Sequence, residues 1–121
     1  MAYYLLHLST DGKLTKLPHD ETASLQEKIC TVLGTDVLED FRWNPSLPFV
    51  VCVDARGGDK ALTPNFVGTC LYHSDCNVFG DLAICKRAED TLLPLNDLEA
   101  EEITAFLSQD FLGYIKGGST Q

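Results

Sequence analysis

The apolar pattern is densest in two runs, residues 49–54 (Phe49, Val50, Val51, Cys52 and Val53, closing on Asp54) and residues 77–86 (Val78, Phe79, Leu82, Ala83, Ile84 and Cys85, closing on Lys86). Runs rich in Val, Phe and Ile, punctuated by glycine and ended by charge, have the pattern of paired strands at the centre of a sheet. Around this pair, residues 3–8 and 14–17 are apolar and flank a turn with an Asp11-Gly12 step, which predicts a β-hairpin. Pro18 to Asp20 then breaks the chain. Leu25, Ile29, Val32 and Leu33 recur at helical spacing; Asp20 or Thr22 can cap that helix, and Gly34 suits its left-handed C-terminal position. Residues 35–43 mix Val37, Leu38, Phe41 and Trp43 with acids and predict an edge strand, ended by Pro45 and Pro48.

The region between the two dense runs reads as loop and further strand. Residues 55–60 form a turn around Gly57-Gly58, and Thr63-Pro64 suits a tight turn or a single helical turn. Residues 66–72 read as β structure, joined through His73 to Asp75 to the second run, in which Gly80 marks a bulge or a close backbone approach. Leu92, Leu93 and Leu95 flank Pro94 and lead to a last helix. Asn96 and Glu99 have capping-box spacing, and Ile103, Phe106, Leu107 and Phe111 supply its apolar stripe. Strands, helix, strands, helix give an α+β fold: residues 1–116 as one domain, a mostly antiparallel sheet covered by two helices, with 117–121 as a frayed tail.

Charge narrows the partners. The chain of 121 residues carries a net charge of -9, with nine Lys and Arg against 18 Asp and Glu. No Lys or Arg occurs between Glu89 and Asp110, so the last third presents a negative surface. A nucleic-acid duplex or an anionic membrane needs clustered Lys and Arg and is a poor partner. No apolar run is long enough to cross a bilayer. The five cysteines include no Cys-x-x-Cys pair, and the Met1 to His7 start has no signal-peptide pattern. Reduced thiols in a host cytosol are therefore expected.

Candidate chemistry is sparse. Cys70, His73 and Cys76 are zinc-type ligands, but their spacing matches no common zinc module, so no metal or other cofactor is expected and these three stand as weak candidates only. His7, His19 and Cys30, or Cys70 with His73, offer a nucleophile and a base, yet no orienting group or oxyanion element accompanies them, which argues against an enzyme. Asp54 with Asp59 and Glu101 with Glu102 read as solvated acids. The best ligand candidate is the loop holding Arg56, Gly57, Gly58, Lys60, Thr63 and Asn65: two cations, two glycines with N–H groups that can turn toward an anion, and a Thr-Pro-Asn turn. Arg42 and Trp43, before the neighbouring strand, add a guanidinium and a stacking face.

Residues 62–65 (Leu-Thr-Pro-Asn), the apolar run from Val78 to Ile84 and the Leu93-Pro94-Leu95 opening of an acidic helix together resemble domain-of-unknown-function family 3846. The likeness covers about residues 14–108. That family consists of small proteins of phages, plasmids and gut bacteria; the resemblance implies an origin in mobile elements and no particular chemistry. The expected function is non-catalytic binding: a counter-defence sponge for a small anionic, nucleotide-type immune signal, a class that commonly forms homo-oligomers. The alternative is an interaction module, an inhibitor or adaptor that engages a host protein through the acidic last helix or a strand edge, with a nucleic-acid mimic as its weaker variant.

Overall fold

The computed structural model describes residues 2–20, 23–72 and 77–111. Six strands form one antiparallel sheet: β1 (Tyr3–Leu8), β2 (Leu14–His19), β3 (Leu38–Phe41), β4 (Phe49–Asp54), β5 (Leu82–Ala88) and β6 (Thr91–Leu93). The order is β2-β1-β5-β4-β3, with β6 paired to β5. The two expected central runs are neighbours, with Val51 opposite Ile84 and Cys52 opposite Ala83. All six residues of β4 are buried, as befits a strand covered on both sides.

Period-two alternation sends successive residues of these strands to opposite faces. One face carries Leu6, Leu8, Val51, Val53, Leu82 and Ile84 and packs under α2 (Phe66–Tyr72) and α3 (Asp97–Ala105). The other carries Leu5, Val50, Cys52, Ala83 and Cys85 and packs under α1 (Leu25–Leu33). A helix of α1's nine residues is marginal alone, so its stability comes from Leu25 and Ile29 buried on the sheet. β1 pairs β5 only from Leu6 to Leu8. Beyond Ile84, β5 pairs β6 instead, and Leu95 bonds Tyr4 at 2.8 Å in both directions. The β6 segment thus fills the gap where β1 and β5 part.

The α+β class and the antiparallel sheet agree with the pattern of the sequence, as do the capping box and Gly34 at φ 69°. Other details differ. β2 runs through Pro18 to His19, since an edge strand tolerates a proline whose missing donor faces outward. Ser24, rather than Asp20, caps α1, its hydroxyl accepting from the Glu27 N–H; Thr22 lies outside the described residues. Residues 77–81 are a connector, and β5 starts at Leu82. Gly80, at φ 82°, is a close approach and not a bulge: its N–H donates to the Thr63 carbonyl at 2.7 Å, and an added Cβ would sit 2.9 Å from Leu62 Cδ1. Beyond α3 the chain continues as a wider π-helical turn, Phe106–Phe111; the expected tail, 117–121, lies outside the described residues.

The main correction is α2, a third helix where β structure was expected. Val67 and Thr69 favour strand locally, but the Asn65 side chain accepts from the Gly68 N–H at 2.9 Å, which supplies a helix start. Val67 and Leu71, four residues apart, then reach the core together. Gly68 sets how closely α2 approaches β5, because a Cβ there would lie 2.5 Å from Leu82 Cδ2 and 3.1 Å from Val78 Cγ1. Gly68→Ala is expected to lower the free energy of unfolding by about 1–3 kcal/mol through overpacking. Urea denaturation measures this, and an unchanged midpoint would contradict so close a contact.

Candidate functional site

The loop that connects β4 to α2 starts on a buried carboxylate. Asp54, 5 % exposed, accepts from Lys60 Nζ at 2.7 Å, the Arg56 N–H at 2.8 Å and the Thr35 hydroxyl at 3.0 Å. Burial pushes its carboxyl up, but the Lys60 ammonium, the Arg56 N–H and the Thr35 hydroxyl outweigh that and hold it below the usual carboxylate value. Lys60 is therefore committed to Asp54. The Gly57 donor is committed too: its N–H bonds the Asp54 carbonyl, and the Lys60, Ala61 and Leu62 N–H groups bond the carbonyls of Arg56, Gly58 and Gly57. Gly57 is there for closeness, since an added Cβ would sit 3.0 Å from the Phe79 carbonyl oxygen. Gly58 lies against the Phe79 ring. An anion nest needs N–H groups turned outward, and those of Arg56, Gly57, Lys60, Ala61 and Leu62 are turned in.

The cleft beside the loop has a volume of about 310 Å³ and is lined by Glu39, Asp40, Asp54 and Asp59, together with Phe41 and Tyr72. Asp54 and Asp40 are paired with Lys60 and Arg87, and the two remaining acids, Glu39 and Asp59, disfavour an anion there. The expected cations Arg42, Arg56 and Lys60 are all exposed, and of these Lys60 is held by Asp54.

Asn65 and Thr63 hold the fold. Asn65 is 1 % exposed. Its amide donates to the carbonyls of Gly80 at 3.1 Å and of Leu8 and Ser9 at 3.4 Å, while its oxygen accepts from Gly68. The carboxamide thus has partners on both sides and none left for a ligand. Thr63 contributes its carbonyl to Gly80. Cys70 lies half-buried on α2, while His73 and Cys76 lie outside the described residues. No group of His, Cys, Asp or Glu suited to a metal occurs among the described residues.

Trp43 belongs to a different surface. Its indole stacks between Phe49, at 6.0 Å between ring centres, and Phe106, at 5.9 Å and 8° between planes. Together with Pro45, Leu47, Leu71 and Ile103 these rings line an open groove of about 710 Å³, with Glu102 among its walls. Glu101 and Glu102 are exposed on α3. That helix is fixed to the sheet by Glu99, which closes the capping box and takes Lys86 Nζ on both oxygens at 2.8 and 2.9 Å. The sequence marks Trp43 but not the groove, whose walls come from three distant segments. The only local signal is the Pro-rich apolar stretch that follows Trp43.

The candidate catalytic groups do not converge. His7 bonds Asp81 at 2.9 Å; His19 lies at the other end of the hairpin, opposite Tyr3. Burial pushes the Cys30 thiol up, away from the thiolate that a nucleophile requires.

The lowered Asp54 pKa has a defined consequence for stability. A depressed folded-state value contributes stability above the unfolded value, and that contribution is lost as pH falls through the folded value. Asp54→Asn is expected to be less stable than the wild type at neutral pH, and the gap should close as pH drops below the usual carboxylate value of 3.8. Urea titrations across that range measure it; a constant gap would contradict an ionised, bonded Asp54.

The chain matches no family model, no curated protein and no solved structure.

Proposed function

We propose that the protein is a non-catalytic interaction module that binds a basic, apolar-anchored segment of a host protein in the groove around Trp43. The groove itself carries this reading: an aromatic and aliphatic trough of about 710 Å³, walled by an acidic helix in a chain of net charge -9. Apolar side chains of the partner anchor in the trough, and its Lys or Arg residues meet Glu101 and Glu102. That division of labour, affinity from buried anchors and steering from rim charge, is common at protein interfaces. The resemblance of residues 14–108 to domain-of-unknown-function family 3846 supports an origin in a phage or other mobile element. The free thiols of Cys30, Cys52, Cys70 and Cys85 support action in the reducing host cytosol. No helix among the described residues is long and apolar enough to cross a membrane. The sponge reading draws support only from the exposed Arg56 and Arg42, against Glu39 and Asp59 in the adjoining cleft.

Trp43 is the single tryptophan, so its fluorescence reports on the groove. Peptides selected on the immobilised protein from a random display library are expected to be rich in basic and aromatic residues and to shift Trp43 emission. The double variant Glu101→Lys/Glu102→Lys should weaken them about tenfold or more, the size of effect seen when paired interface charges are reversed. Selected peptides that leave the emission unchanged and bind the reversed variant equally would contradict the proposal.

A further inference from the structure

The cleft beside the β4–α2 loop is unsuited to an anion, but its walls are not only acidic. Three of its residues are aromatic: Phe41 at the end of β3, Tyr72 at the end of α2 and Phe79 in the connector before β5. Phe41 and Tyr72 pack ring against ring, 4.7 Å between centres and 35° between planes. Tyr72 is 43 % exposed, and Phe41 and Phe79 are half-buried. An aromatic ring is negative over its face, so a ring on a cleft wall attracts a cation placed over it. The charges on the same walls act in the same direction. With Asp40 paired to Arg87 and Asp54 to Lys60, Glu39 and Asp59 remain, exposed and in no ion pair among the described residues. Neither Arg42 nor Arg56 lies on the wall.

We propose that this cleft binds a quaternary ammonium group, its methyls against Phe41, Tyr72 and Phe79 and its charge balanced by Glu39 and Asp59. The rings select this class among cations. A metal ion needs several oxygens converging on one point, and among the described residues no group of acids does so. A primary ammonium brings three N–H donors that each need an acceptor; a quaternary one brings none and meets the walls with methyl groups. Recognition of such groups by clustered rings is an established use of the cation–π interaction. The volume, about 310 Å³, is at the small end of ligand sites and suits one head group. The site shares no lining residue with the Trp43 groove, so its occupancy does not depend on what the groove binds.

The test is an NMR titration of the isotope-labelled full chain, at constant ionic strength, with two probes of one shape: choline and 3,3-dimethylbutan-1-ol, in which carbon replaces the charged nitrogen. The neutral probe is the more hydrophobic, so apolar contact alone would favour it. The expected result is saturable shifts of the Phe41, Tyr72 and Phe79 ring resonances with choline, which should bind about tenfold more tightly than the alcohol, the worth of a partly desolvated cation–π contact with nearby carboxylates. Tyr72→Leu keeps an apolar wall and removes a ring face; it should weaken choline about fivefold and leave the alcohol unchanged. The double variant Glu39→Gln/Asp59→Asn should also weaken choline alone. All three substituted side chains are exposed, so these variants are expected to fold. No saturable shift at the rings, equal affinities for the two probes, or a choline affinity that survives in Tyr72→Leu would each overturn the proposal.

Discussion

The Asn65 carboxamide is the point at which the long connection between β4 and β5 is held to the rest of the sheet. It bonds the carbonyls of Leu8 and Ser9 at the end of β1, the carbonyl of Gly80 ahead of β5, and the N–H that starts α2. These partners come from three separate stretches of chain, and those of Leu8, Gly80 and Gly68 are buried away from water. Leaving one of these buried groups unbonded costs about 1–3 kcal/mol. With this group in place α2 can lie on β5 at the distance Gly68 permits, and Phe79 can close over Gly57 and Gly58. Leu71, on α2, then reaches the groove.

The division of polar and apolar surface follows from this arrangement. The loop beyond β4 turns most of its N–H donors inward, onto Asp54 and its own carbonyls, and leaves carboxylates around the adjoining cleft. The opposite end of the same face gathers rings. Trp43, Phe49 and Phe106 stack in a row at the end of α3, and Glu102 of that helix borders them. Edge strands β2 and β3 expose Lys16, Pro18, Glu39 and Asp40, a composition that discourages strand addition by another chain. Groove binding is therefore better supported than edge pairing.

Much of the fold could be read from local pattern. The Asn96 and Glu99 spacing, Gly34 after an apolar helical stripe and the Asp-Gly turn of the first hairpin each rest on interactions within a few residues, and each stands where expected. The failures are non-local. Residues 66–72 have strand-favouring composition, and only Asn65 on one side and Leu82 on the other make them helical. Lys60 and the two glycines resemble anion ligands in sequence, because nothing there shows that Asp54 is buried beside Thr35 and will claim the lysine. The groove joins residues 43–49, Leu71 and residues 102–106, and the cleft joins Phe41, Tyr72 and Phe79. No periodicity along the chain encodes either meeting.

The central claim is that Asn65 and the loop before it serve the fold while the Trp43 groove serves binding. Chemical-shift mapping of the labelled protein, saturated with a basic, aromatic-anchored peptide, tests it most directly. The account predicts perturbations at the Trp43 indole, Leu47, Leu71 and Ile103, with Arg56, Lys60 and the Asn65 side-chain amide unmoved. Perturbations centred on Arg56 to Asn65, with the indole silent, would contradict it.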